Sequence, residues 1–345
     1  MKDSKQTHAA GRMTRRTALR LGSGLALAAG ANLYAPAVLR AQTLKPVSLT
    51  FQWFASGAYA GYYLAKERGF YAERGLDVEF KHVMGNALAL QQLVAGNTDF
   101  AHADFIQMLR LQGSEKGVHL RAAGVIAEKL ALSLFYLKDN GISEPKDIEG
   151  RTIVDSAGST APLLFKMFAD ANGIDPAKVN WTNAAGAAKV AVMLQGQADA
   201  VAIYLNALPS IKAKLQPGQD VGWFMFGEHG ADIYGDGMIT TDAYLQENRE
   251  TAEAFAQASA MGFKVAFEDP EAGVMPIVNA SKELNAEIAA QELRLAHEVA
   301  IGPAQEANGI GYIDPAKMAR SYDAVEQLLG QQIELPVDEL FVNLV

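Results

Sequence analysis

The chain of 345 residues contains no cysteine. That excludes disulfides, thiolate metal sites, a cysteine nucleophile and a lipid-modified N-terminal cysteine. Long hydrophobic runs are missing too: the apolar stretch Leu21 to Ala31 falls short of the roughly 20 residues that a spanning helix needs. No HExxH, GxSxG or GxxxxGK(S/T) pattern occurs, and no GxGxxG follows a strand, so zinc-peptidase, hydrolase-elbow, phosphate-loop and dinucleotide readings have no support. The six histidines (His8, His82, His102, His119, His229 and His297) are dispersed, with no close ligand pair, and no metal or other cofactor is expected. Carboxylates are plentiful, but no pair stands out for acid/base work. Low-complexity segments and solenoid-length repeats are absent as well.

What is present begins with an address. Thr14-Arg15-Arg16-Thr17-Ala18-Leu19-Arg20 is a twin-arginine pattern, followed by the mildly apolar Leu21–Ala31 and a small-residue exit at Leu39-Arg40-Ala41. Together they read as a signal peptide over residues 1–41, with export by the twin-arginine route and cleavage near Ala41. Residues 1–41 hold seven Lys/Arg and one acid, so the remainder has 23 basic against 38 acidic residues, a net charge of −15. Such a surface repels phosphate backbones and anionic lipid, which argues against nucleic-acid binding and membrane insertion. A soluble periplasmic protein, monomeric, is expected.

Strand and helix signals then alternate. Strands are expected at Val47–Gln52, Asp77–Lys81, Asp99–Ala101, Leu120–Val125, Leu132–Leu137, Thr152–Asp155, Val179–Asn183, Ala200–Ile203 and Val221–Phe226, with a further extended segment at Gly237–Thr241. Between them lie faces such as Leu90-Leu93-Val94, Phe105-Met108-Leu109 and Leu164-Met167-Phe168-Ala171; long helical stretches follow over Asp242–Phe267, Ser281–Ile301 and Pro315–Leu329. This alternation predicts an α/β architecture with mostly parallel sheets flanked by helices. Cores divide beyond roughly 250–300 residues. Polar, Gly-containing breaks near Lys138–Pro145 and Asp236–Thr241 therefore suggest two lobes joined by two crossings: 42–138 plus 240–345, and 139–239.

In open α/β sheets ligands sit beyond the carboxyl ends of strands. Gln52-Trp53-Phe54 ends the first strand with an aromatic shelf, and Tyr59 opens the next helix. Asp155-Ser156-Ala157-Gly158-Ser159-Thr160 follows a buried strand and opens a helix. Gly158, Ser159 and Thr160 there offer amides and hydroxyls to an anionic or carbonyl oxygen, or else form an ordinary cap. Gly85-Asn86-Ala87 is the analogous start in the first lobe. His102 lies at a strand exit, with Asp104 read as the N-cap of the helix that begins at Phe105; Tyr204 and Asn206 lie at another exit. Tyr234-Gly235-Asp236-Gly237 is read as hinge geometry.

The segments YYLAKERGFYAERGLDVEF, LVAGNTDFAHAD, IEGRTIVDSAGSTAPLLFKMFADANGI and VAVMLQGQADAVAIYLNAL resemble the thiamine-pyrimidine-precursor, sulfonate, taurine and nitrate binding proteins, grouped with the fungal thiamine-pyrimidine synthase. The resemblance covers roughly Val47–Leu245. It implies a two-lobed periplasmic-binding-protein fold (type II-like) that closes on its solute by a hinge and delivers it to an ABC permease with its ATPase. It also implies ligand contacts at Gln52, Trp53 and Phe54, at Gly158, Ser159 and Thr160, and at Tyr204 with Asn206. Tyr204 stands where pyrimidine-precursor binders commonly carry a carboxylate, and the tryptophan-aspartate element of sulfonate binders is absent. The synthase's cysteine-rich motif is missing, and Gln107 occupies the position nearest its active-site histidine. The expected function is capture of an aromatic, heterocyclic or anionic solute, without catalysis. An exported synthase-like enzyme and a periplasmic sensor subunit are the alternatives.

Overall fold

The computed structural model describes residues 43–345, apart from 115, 116, 187, 331 and 334; the expected signal peptide and its cleavage site lie outside the described residues. Ten strands occur among these residues: β1 (Lys45–Phe51), β2 (Leu76–His82), β3 (Phe100–Asp104), β4 (Leu120–Val125), β5 (Leu132–Leu137), β6 (Thr152–Asp155), β7 (Asn180–Asn183), β8 (Ala200–Tyr204), β9 (Val221–Met225) and β10 (Asp236–Thr241). In β1, Val47, Leu49 and Phe51 alternate into the core while Lys45 and Pro46 stay outside, as one buried face requires. Central β3, FAHAD, is buried at every position.

The strands form two five-stranded sheets, ordered β2-β1-β3-β10-β4 and β7-β6-β8-β5-β9. β1 runs parallel to β2 and β3, and β6 parallel to β7 and β8. β10 is antiparallel to β3 and β4, and β5 antiparallel to β8 and β9. Both sheets are therefore mixed but mostly parallel in direction: four strands of each point the same way, and β10 in the first and β5 in the second run against them. The reason is connection length. A helical crossover returns the chain to the starting end of a sheet, whereas the short links 126–131 and 226–235 feed β5 and β10 directly from the end at which their predecessors finish. β5 lies in the second sheet, so the chain passes between the sheets before Lys138–Pro145, the break expected from sequence. It has returned by Asp236, earlier than the expected restart at 240.

The two links run side by side. The Gly227 amide donates to Leu130 O at 3.2 Å, the Gly235 amide to Ala127 O at 3.1 Å, and the Ile126 and Ala127 amides to Asp236 O at 3.0 Å each.

On the first sheet, the helix Ala60–Glu67 packs on the long helix Asp242–Glu268 at a glycine pair. A Cβ on Gly262 would stand 2.2 Å from Gly61 O, and one on Gly61 would stand 2.4 Å from the Phe263 ring. The Phe100 and Phe255 rings stack beneath, 4.2 Å apart. Phe165, Phe168 and Phe226 fill the corresponding core of the second sheet.

Candidate functional site

The carboxyl ends of β1, β3, β6 and β8 open on one cavity of about 620 Å³, within the size range of small-molecule sites. Of the residues expected at a site, Gln52, Trp53, Tyr59, Asn86, His102, Gly158, Ser159, Thr160, Tyr204 and Asn206 lie on its wall. Phe54 does not: it is 52% exposed, its ring edge-on to Trp53 at 5.6 Å. Period-two alternation ends with β1 at Phe51, and the bend that follows turns Phe54 outward while Trp53 stays half-buried at the cavity.

Asp104 does more than the helix cap expected of it: it is 1% exposed and ends β3, where its carboxylate serves as a shared acceptor. Asn86 Nδ2 donates to its Oδ2 at 2.8 Å, and its amide donates back to Asn86 Oδ1 at 2.9 Å. From the second sheet, the Tyr204 hydroxyl donates to Oδ1 at 2.5 Å and the Thr160 hydroxyl to Oδ2 at 3.3 Å. Burial, reinforced by the Asp236 carboxylate, pushes the Asp104 carboxyl up to about 7 against the pull of those hydroxyls and of His102. Burial also raises the Tyr59 and Tyr204 phenols well above their ordinary value, helped by Asp236 and Asp104. The neutral phenol is thus the form these walls hold.

Asp236, at the start of β10, faces Nε2 of His102 at 3.3 Å and accepts from Gln52 Nε2 at 3.4 Å. The other His102 nitrogen, Nδ1, meets the Tyr62 hydroxyl at 3.0 Å, so His102 is buried and fully engaged. The turn expected to serve only as hinge geometry therefore also supplies a carboxylate to the cavity.

A second missed group is Lys189, in the apolar helix Ala188–Leu194. Its ammonium donates to Asp155 Oδ1 at 2.8 Å and Ala202 O at 2.7 Å, and lies 5.9 Å from the Trp53 ring centroid. A lone cation inside AKVAVML was the signal available in the sequence, since buried lysines need a partner.

The start of the helix Ala161–Ala171 also differs from a free anion nest. Ser159 Oγ takes the Ala161 amide at 2.9 Å, Pro162 has no amide hydrogen, and the Leu163 amide donates to Thr160 O at 3.1 Å. The Ser159 hydroxyl itself donates to Asp155 Oδ2. Among the described residues, no cluster of three or more His, Asp or Glu could hold a metal ion, and no helix is long and apolar enough to cross a membrane.

Known proteins share this fold. Over 247 residues, 71% of this chain and 73% of the relative, the sequence is 24% identical to the formylaminopyrimidine-binding protein of Halalkalibacterium halodurans. It is 21% identical to the riboflavin-binding protein of Chloroflexus aurantiacus over 70% of this chain and 68% of that one. Among solved structures, the periplasmic aliphatic sulphonate binding protein of Escherichia coli superposes with a TM-score of 0.66 at 16% identity, covering 83% of this chain and 92% of that one. The alkanesulfonate-binding protein of Xanthomonas axonopodis pv. citri, bound to MOPS, gives 0.65 at 15% identity, covering 86% and 98%. These likenesses establish the periplasmic-binding-protein fold. The NMT1/THI5-like family model matches residues 57–273, well over half of the sequence, and the chain belongs to that family.

Proposed function

We infer that this chain is the solute-binding component of an ABC importer, acting in the periplasm as a monomer and handing a small molecule to a permease and its ATPase. One observation carries the reading: a single cavity of about 620 Å³ is walled by the strand ends of both sheets, with Trp53, Tyr59 and Tyr204 beside a few convergent polar groups. The relatives named for formylaminopyrimidine and riboflavin are binding proteins, which favours capture over turnover. Export by the twin-arginine segment and cleavage near Ala41 belong to the same reading.

The first sheet, with its helices, forms one lobe and the second sheet the other; the paired links 126–131 and 226–235 are the hinge. Closure follows because a solute touching both walls binds the closed arrangement more tightly than the open one. Trp53 and Tyr204 supply flat surface, and Gln52, Asn86, His102, Asn206 and the Gly158–Thr160 turn set the polar frame. A heteroaromatic solute fits this lining best.

The test is a thermal-shift screen against pyrimidines, flavins, aromatic acids, sulfonates and nitrate, since a ligand that prefers the native state raises its melting temperature. A hit whose affinity falls at least about tenfold in both Trp53→Ala and Thr160→Ala is expected, from lost stacking and a lost buried hydrogen bond. Wild-type affinity in both variants rejects the site, and no hit in the panel rejects the function.

A further inference from the structure

Three of the hydroxyls on the cavity wall, unlike the unpartnered Ser156 hydroxyl, are not equivalent to water. Those of Tyr204 and Thr160 spend their protons on the Asp104 carboxylate, and that of Ser159 spends its proton on Asp155. A hydroxyl has one proton and two lone pairs, so each of the three turns only lone pairs towards any further partner. We propose that Asp104 and Asp155 are specificity-determining residues: by fixing these three hydroxyl protons they make the face built by Tyr204, Thr160 and Ser159 an array of acceptors that takes a neutral or cationic solute bearing N–H donors and rejects anions. Asp104 acts through Tyr204 and Thr160 and is in that sense a positioning residue.

Two further observations point the same way. Among the described residues, Lys189 is the one Lys or Arg on the wall, and Asp155 already neutralises it. An anion would therefore meet a wall that carries the Asp236 carboxylate, with ionised Asp104 buried behind Tyr204 and Thr160. The helix start that would otherwise welcome an anion has its Ala161 and Leu163 amides occupied and a proline between them. Rejection of the wrong solute here rests on unpaired lone pairs facing lone pairs, which costs more than a missing attraction.

This inference rests on the solute-binding reading, and the experiment separates the two. The full chain is titrated by calorimetry at about pH 8, where Asp104 is mostly ionised, with aminopyrimidine, unsubstituted pyrimidine and benzenesulfonate. Wild type is expected to favour aminopyrimidine over pyrimidine by about tenfold, one buried hydrogen bond's worth, and to bind benzenesulfonate weakest. Asp104→Asn, which turns an amide N–H into the shared acceptor position, should abolish that preference. Tyr204→Phe keeps the ring, removes the acceptor and should lose more affinity for aminopyrimidine than for pyrimidine; it serves if Asp104→Asn does not fold. Equal weakening of all probes in both variants makes the residues merely structural and overturns the proposal, as does a wild-type preference for benzenesulfonate or pyrimidine. Absence of binding by all three probes, with no hit in the thermal-shift panel, overturns the solute-binding reading and this inference with it.

Discussion

Lys189 is 6% exposed, and its cost of burial is met by Asp155, by a backbone carbonyl and by the Trp53 ring. Removing one partner of a buried pair is far worse than removing both, because the survivor's desolvation is left uncompensated. Lys189→Met is therefore expected to lower unfolding free energy by roughly 3–5 kcal/mol. Adding Asp155→Asn should restore a substantial part of it, and urea denaturation of the two variants measures both numbers. A double variant no better than the single one would mean that Asp155 has no debt to Lys189. Residues like these also mark the limit of what sequence could tell. Gln52, Trp53, Tyr59 and Gly158–Thr160 were legible because they sit at strand ends, a local property. Asp104 was not: its Tyr204 and Thr160 partners lie 100 and 56 residues away. An aspartate before a helix reads as a cap until the fold brings those hydroxyls to it.

The strands were the most legible elements, β4, β5 and β6 to the residue, because buried apolar runs bounded by polar breaks carry their own ends. The mostly parallel sense was legible too, but the reversal of β5 and β10 was not, since it depends on how the chain travels between sheets. Helix packing was likewise silent in the periodicity. The Ala60–Glu67 helix meets the Asp242–Glu268 helix where Gly61 and Gly262 let the backbones approach closely. Gly262→Ala raises helix propensity yet places a methyl 2.2 Å from Gly61 O, so the helices must part. The overpacking should outweigh the propensity gain and cost about 1–3 kcal/mol. Unchanged helicity by circular dichroism with a lower denaturation midpoint is the expected signature; a midpoint at or above wild type contradicts the contact.

Two buried carboxylates tie the sheets together. Asp104 does so through Tyr204 and Thr160. Glu292, on the helix Ala286–Ala300, accepts the Gly57 amide and the Ser210 hydroxyl at 2.8 Å each, joining the loop after β1 to the second sheet's side. Burial pushes both carboxyls up, Asp104 from 3.8 to about 7. A raised carboxyl holds its proton more tightly in the folded chain than in the unfolded one. Its contribution is complete below about pH 4 and is lost as pH climbs through about 7. Between pH 5 and pH 8 the Asp104 group alone should reduce stability by roughly 2–3 kcal/mol. Asp104→Asn should flatten that part of the profile; an equally steep profile in the variant would show that other groups set it.

The placement of β10 has a consequence in time. The second sheet draws on one uninterrupted span, 132–225, and is complete as soon as that span exists. The first sheet is not: β4 reaches β3 only through β10, which begins at Asp236. A chain emerging from its N-terminus makes β1 to β4 early, yet β4 waits more than a hundred residues for the neighbour that docks it. The later half of the cavity is thus able to form first. The older half, with Gln52, Trp53 and His102, is finished last, and the site is complete only once β10 and then Ala296 and Val299, which also line it, have been made.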